Sequence, residues 1–306
     1  AGPRAAGGGL VAGGGAYREV FRVRAGEGDP HQRLRPGGLL AVLQEAAVGH
    51  VEALFGPPRE GAGFPVDPLM EELELTYVLT KMGVRYRDAC AGFGSAVQVD
   101  TWFQPLGKAG LRRDWVATDA ASGEELAVAT STWVLVNLKT RRMARIPPEL
   151  MKHFDVSTPE EPRGALELPK GGAWAGAAGE EAEDPADALQ RSPKYIGPHV
   201  TAMFQHIDAN RHVSNLFYMD WLLSALPEGR SEGSRLVELD MDYRSEILLG
   251  DGVRSLAVES AGSQGSGETD GGGREFLHVL TERGTDKEFM RARTRWVPET
   301  YACRAG

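Results

Sequence analysis

The chain has 306 residues, 42% hydrophobic and 25% charged, the composition of an ordinary globular protein with one large domain or two of average size. A net charge of −9 argues against nucleic acid as the main partner, because phosphate binding needs a basic surface. No apolar stretch reads as the run of ~20 residues that a membrane span requires. Two cysteines, Cys90 and Cys303, form no C-x-x-C pair, which argues against a disulfide framework or thiolate metal site and for a reducing compartment.

In chain order, AGPRAAGGGLVAGGGA (1–16) is Gly/Ala-rich without a secretory core and reads as a disordered tail or leader remnant outside the fold. YREVFRVRAGEG reads as a strand. RPGGLLAVLQEAAVGHVEALFG then places Leu39, Leu40, Leu43, Ala46, Ala47, Val51 and Leu54 at helical spacing, with Pro36 suited to the helix start and Gly56 to its stop. LELTYVLTKMGVRY and GSAVQVDTWFQ follow as strands, and LRRDWVATDAASGEELAVATSTWVLVNLKTRRMARIP as two strands joined by a turn at 120–123.

The second half repeats this order. HVSNLFYMDWLLSALPEG reads as a helix ended by Pro227 and Gly229, and LVELDMDYRSEIL, DGVRSLAVESAG and REFLHVLTERGTDKEFMRARTRWVPE as strands. Both final hairpins end in Trp-Val, at Trp133-Val134 and Trp296-Val297. So long a period indicates a duplicated domain rather than a solenoid. A helix this apolar must be wrapped by the concave face of its own antiparallel sheet. The expected fold is therefore α+β, a double hot-dog. Its units are 17–156 and 194–300, joined by a Pro/Gly/Ala/Glu-rich linker at 157–193 that holds Trp174, with a tail at 301–306. GSQGSGETDGGG reads as a long hairpin loop in the second unit.

The run HIDANRHVSN puts His206, Asp208, Asn210 and His212 at alternate positions directly before the second helix. In an extended segment they share one face, with Ser214 placed to cap the helix. Amides at a helix start can hold an oxyanion, and a carboxylate beside an imidazole can activate water. These are the parts needed to hydrolyse an activated acyl group. His206, Asp208 and His212 as metal ligands match no standard spacing, and no cofactor is expected. Two basic clusters stand out in an acidic chain: Lys139, Arg141, Arg142 and Arg145, and Lys108, Arg112 and Arg113. Such clusters are solvated charges or steer an anionic ligand.

DANRHVSNLFYMDWLLSALPE resembles the D-x-N-x-H-V-x-N-x-x-Y-x-x-W segment of the plant and algal acyl-ACP thioesterases, the FatA/FatB family. QEAAVGHVEALFG, the block from VQVDTWFQPLGKAGLRRDW to TRRMARIP, and LDMDYRSEI resemble further segments of that family, in order, from about residue 17 to about 298. The resemblance implies a double hot-dog in one chain. It also implies hydrolysis of the thioester between a fatty acid and acyl carrier protein, in the plastid stroma after removal of a transit peptide. By position it assigns Asp208, Asn210, His212 and Glu246 to catalysis, with Asp208 or Glu246 as base or nucleophile; burial would favour a Glu acting as base. The family commonly has Cys after that Glu, whereas this chain has Ile247, which excludes a thiol mechanism at that position. An acyl tunnel is expected in the first unit around Leu39, Leu43 and Ala47. The acidic carrier protein gives a role to Lys139, Arg141, Arg142 and Arg145. An acyl-CoA thioesterase, a hot-dog dehydratase and a non-catalytic acyl-binding protein are the competing readings. Monomer and homodimer both stay open.

Overall fold

The computed structural model describes residues 8–11, 15–59, 63–88, 91–160, 163–175, 189–226, 233–260, 273–285 and 287–298. Cys90, Cys303, Pro227, Gly229, most of the second hairpin loop and the expected C-terminal tail lie outside them. The chain divides into two compact units, with the boundary between Glu167 and Leu168.

In the first unit the chain forms β1 (Gly9–Leu10), β2 (Ala16–Arg22), α1 (Pro36–Phe55), α2 (Pro68–Glu72), β3 (Leu75–Tyr86), β4 (Ala96–Leu106), β5 (Gly110–Asp119), β6 (Glu125–Asn137), β7 (Arg142–Met143) and α3 (Pro148–Ser157). Its strands run in the order β1-β2-β4-β5-β6-β3, with β7 on β6, and every pairing is antiparallel. Two short helices, α2 and α3, were not expected. Gly9 and Leu10, assigned by composition to a tail, pair with Arg18 and Tyr17 of β2, so part of that segment belongs to the sheet.

Helix α1 begins with Pro36 at its first turn and stops at Gly56, where φ is 90° and the N–H donates to the Glu52 carbonyl; a left-handed stop favours glycine. Leu39, Leu40, Val42, Leu43 and Ala46 are buried, and each such leucine contributes about 1.5–3 kcal/mol relative to an exposed one. The sheet grips the helix through polar contacts as well. Trp115 Nε1 donates to the Leu43 carbonyl at 2.9 Å. Arg113 Nη1 lies 3.2 Å from both His50 Nδ1 and Thr101 Oγ1, and its guanidinium covers the Phe103 ring. At Gly49 a Cβ would fall 2.6 Å from the Tyr17 hydroxyl, so a larger residue would displace the Tyr17 and Glu19 side chains packed there. By length and mean hydropathy, 20 residues at 1.3, α1 matches a membrane span, contrary to the expectation from sequence. Its buried face and these contacts make it the core helix of the unit.

The second unit repeats the plan with β8 (Tyr195–Ile196), β9 (Val200–Thr201), α4 (Asn215–Leu223), β10 (Ser234–Tyr243), β11 (Gly252–Glu259), β12 (Arg274–Glu282) and β13 (Glu288–Pro298). Here β10, β13, β12 and β11 are consecutive, and β8 and β9 both pair with β11. In each unit the long strand after the helix pairs with the last long strand, as the sequence repeat requires. Helix α4 is shorter than expected and ends at Ser224, whose Oγ bonds the Trp221 carbonyl.

The described ends of the linker are docked. Asp114 accepts the Ala165 N–H, Arg112 bonds both Asp114 and the Leu166 carbonyl, and Trp102 Nε1 donates to the Arg163 carbonyl. Trp174 sits in a core cluster with Leu189, Leu256, Leu277 and Val279, its Nε1 donating to the Ala292 carbonyl. Arg112 and Arg113 are therefore not solvated charges. Arg112 is held by Asp114, and burial lowers the Arg113 guanidinium to about 9.

Each unit buries one imidazole completely, His50 in the first and His278 in the second. Burial, with Arg113 beside it, holds His50 down at about 2, and burial holds His278 down at about 3. The unfolded chain takes up these protons near pH 6.5, so it binds more protons than the folded one below that value. The stability they contribute is complete above pH ~6.5 and is lost as pH falls toward ~3, at about 1.4 kcal/mol per pH unit for each ring. Urea unfolding between neutral and mildly acid pH should show that slope, and His278→Gln should reduce it by one ring's share. An unchanged slope would show that these imidazoles do not set acid lability.

Candidate active site

The segment entering α4 is not extended. Phe204–His206 form a 3-10 turn, and Ile207 and Val213 then pair as an isolated antiparallel bridge. Between them the chain makes a tight loop: the Asp208 N–H donates to the His212 carbonyl at 2.9 Å, and the Arg211 N–H to the Asp208 carbonyl at 3.0 Å. Asp208 Oδ1 accepts the Asn210 N–H at 2.8 Å, the Asx turn that aspartate favours. Arg211 takes a φ of 68° to close the loop.

This geometry separates the four alternating residues. Asp208 Oδ1 and His212 Nδ1 lie 3.9 Å apart, both half-buried, and Asn210 is exposed on the same loop. His206 belongs elsewhere. Its Nδ1 accepts the Met203 N–H at 3.0 Å, and its ring packs edge-on against Phe217 and Trp221 of α4. It is a packing residue, so the shared face of four polar groups read from their spacing is corrected: a loop replaces the strand. Ser214 occupies the cap position of α4, but its side chain makes no capping bond.

The segment bearing Glu246 lies alongside this loop. Glu246 follows β10 on a non-strand segment and is exposed, so the burial invoked for a basic Glu is absent. One bond joins its segment to the loop and one to α4: the Val213 N–H donates to the Ile247 carbonyl at 2.8 Å, and the Ile247 N–H donates to Tyr218 Oη at 3.1 Å. Ile247 itself is fully buried, which explains an apolar residue there. Tyr218, which sequence reasoning did not single out, ties α4 to the Glu246 segment. Burial raises its pKa, and the nearby charges of Glu246, Asp208 and Asp251 raise it further. Its hydroxyl therefore stays protonated as a donor. The signal was present in the run N-L-F-Y, one turn into the helix.

The first unit builds the same loop with different chemistry. Gly28 and Leu34 form the bridge. The Asp29 N–H donates to the Arg33 carbonyl, Gln32 takes a φ of 64°, and Asp29 Oδ1 accepts the His31 N–H at 2.8 Å. Where the second unit has His212, the first has Arg33, whose Nε donates to Asp29 Oδ2 at 2.8 Å. That carboxylate is locked in an ion pair with an always-charged group, and no acid–base partner stands at the position of His212.

Of the residues expected to bind substrate, Leu39 and Leu43 are buried in the first unit's core and Ala47 is half-buried. Lys139, Arg141, Arg142 and Arg145 are all exposed on and after the β6–β7 hairpin, beside exposed Leu138 and Met143. Lys139 is paired with Glu74 at 2.6 Å. A cavity of about 400 Å³ lies elsewhere in the first unit, lined by Phe55, Asp67, Pro68, Leu69, Glu72 and His153. It contains none of the residues read as functional. Among the described residues, no group of three or more His, Cys, Asp or Glu is placed to hold a metal.

Comparison with known proteins covers both units. Residues 14–154 match the acyl-ACP thioesterase N-terminal domain and residues 193–298 the C-terminal domain. The chain is 30% identical to oleoyl-acyl carrier protein thioesterase 1, chloroplastic, of Arabidopsis thaliana, covering 94% of this chain and 78% of that protein. It is 31% identical to palmitoyl-acyl carrier protein thioesterase, chloroplastic, of Cuphea hookeriana, covering 95% and 65%. Among solved structures, the 12:0-ACP thioesterase of Umbellularia californica superposes with a TM-score of 0.75 at 26% identity, over 92% of this chain and 94% of that one. With both domain profiles matched in order and the double hot-dog architecture present, the chain belongs to the acyl-ACP thioesterase family.

Proposed function

We propose that this protein hydrolyses the thioester of fatty acyl-acyl carrier protein, releasing the free fatty acid and ending chain elongation. The observation that carries this reading is the loop before α4. It presents an Asp208–His212 pair and is bonded to the segment bearing Glu246, while its copy in the first unit holds an Asp–Arg ion pair instead.

In the proposed reaction, a water oxygen bonds to the acyl carbon, the carbon–sulfur bond breaks, and the carrier's thiolate leaves with a proton. Asp208 or Glu246 activates the water, or one of them attacks the acyl carbon first and water resolves the intermediate. His212 and Asn210 orient the reacting groups. The first amides of α4 lack a side-chain cap at Ser214 and are suited to hold the oxyanion. No thiol takes part at position 247, because Ile247 is there. The acyl chain lies along α1 near Leu39, Leu43 and Ala47. The acidic carrier is attracted to Lys139, Arg141, Arg142 and Arg145. The chloroplastic names of the curated relatives support action in the plastid, and the proposed place there is the stroma.

The test is hydrolysis of medium- and long-chain acyl-carrier-protein thioesters by the purified protein, with the matching acyl-CoAs alongside. Fast release from the carrier protein is the expected result; turnover of CoA esters alone would instead favour an acyl-CoA thioesterase. His212→Ala, Glu246→Ala and Asp208→Asn should each lower kcat by about 10²–10⁴-fold with the fold intact. A near-normal rate in any folded variant would remove that residue from the mechanism. His206→Ala should instead lower stability by roughly 1–3 kcal/mol, through lost ring packing and the unpaired Met203 N–H.

Charge reversal at Arg142 and Arg145 should raise KM for the carrier-protein substrate, and high salt should mimic it on the wild type. If neither changes KM, the patch does not bind the carrier.

A further inference from the structure

Four large apolar side chains stand exposed beside the candidate site in the second unit: Met203 at 50%, Phe204 at 83%, Leu248 at 45% and Leu249 at 60%. They come from two segments that bracket the catalytic residues in sequence and are bonded to each other. The Ala202 N–H donates to the Asp251 carbonyl and the Gly250 N–H to the Ala202 carbonyl. The Leu248 N–H donates to Asp251 Oδ2 at 2.9 Å. Met203 and Phe204 lead through the 3-10 turn into the Asp208 loop, and Leu248 follows Glu246 and Ile247 directly.

The loop does not need Met203 and Phe204. The first unit makes the same 3-10 turn, bridge and left-handed closure with Arg24, Ala25 and Gly26 at the corresponding place. That internal copy shows that the loop forms without large apolar side chains before it. Leu249 has an exposed counterpart there, Phe93 at 58%, whereas Met203 and Phe204 have none and, beside the acid–base partners, serve a contact outside the fold.

From this we infer that Met203, Phe204, Leu248 and Leu249 form an apolar collar on which the carrier protein seats while its thioester lies at Asp208 and Glu246. The inference rests on the carrier-protein reading above. The occupant follows from the tether of the substrate. A thioester tethered to a protein brings that protein over the mouth of the site, and the carrier is acidic. The mouth itself carries Asp208, Glu246 and Asp251, so ionic attraction is weak there even with exposed Arg211 and Arg244 on the same two segments. Contact at the mouth is then apolar, while the exposed basic residues of the first unit supply long-range attraction.

The experiment compares Phe204→Ser and Leu249→Ser with the wild type on one acyl chain presented two ways, on carrier protein and as the N-acetylcysteamine thioester. KM for the carrier substrate should rise about tenfold, as the loss of one buried aromatic contact implies. The expected result further includes unchanged kcat, persistence of the KM change at high salt, and unaltered hydrolysis of the small thioester. Carrier-substrate kinetics like the wild type overturn the inference. Equal losses on both substrates overturn it as well, because they place the collar against the acyl arm or the reacting groups. A variant that changes sedimentation or binding to anionic lipid vesicles, with unaltered carrier kinetics, assigns the collar to a second copy or a membrane instead. A wild type that cleaves the small thioester but never the carrier substrate removes the underlying functional reading, an outcome distinct from failure of the collar alone.

Discussion

The candidate site depends on how α4 enters its sheet. An apolar helix buried against antiparallel strands must be led in by a chain whose own amides and carbonyls find partners. Here the bridge between Ile207 and Val213 closes the lead-in, and the Val213 N–H bonds the Ile247 carbonyl at 2.8 Å. Those backbone bonds place Asp208, Asn210 and His212 on one turn and bring the Glu246 segment alongside. Tyr218 adds a side-chain bond from the helix to the same strand end. The polar groups are thus held by secondary structure rather than by one another. That leaves Asp208 and His212 3.9 Å apart instead of closed into a tight pair.

The duplication separates what this loop does for the fold from what it does for chemistry. Asp29 and Asp208 make the same side-chain bond to the amide two residues on, and Gln32 and Arg211 take the same left-handed turn. These features recur in both units and belong to the loop's construction. Arg33 and His212 do not recur. A guanidinium holds its carboxylate in a fixed ion pair, whereas an imidazole is a side chain able to take part in acid–base chemistry. One substitution on a common scaffold divides a structural loop from a reactive one.

Buried polarity distinguishes the interior. His50, Arg113 and Thr101 meet under α1, and His278 bonds Thr294 within the second unit's sheet. Asp114 lies fully buried where it receives Arg112, Thr130 and the Ala165 amide, so the chain leaving the first unit is fastened by a satisfied charge network. Trp174 performs the corresponding task in the second unit by filling an apolar cluster. A stretch whose composition suggested a loose connection is anchored at both described ends.

The sequence alone determined the architecture. Periodicity in 36–55, Pro36 and Gly56 at its ends, and alternating strands in each half are local properties that survive any packing. The double unit follows because each apolar helix needs its own sheet. Spacing before the helix also drew out Asp208, Asn210 and His212, and resemblance to the family motif named them together with Glu246. Only tertiary structure decided that His206 packs against Trp221 and that Glu246 sits exposed beyond the end of β10. It likewise turned Arg112 and Arg113 inward and drew Gly9 and Leu10 into the sheet. Tyr218 gains its place for the same reason. Whether an imidazole, a guanidinium or a hydroxyl meets solvent, a ring or an amide depends on side chains tens of residues away, and no local spacing carries that information.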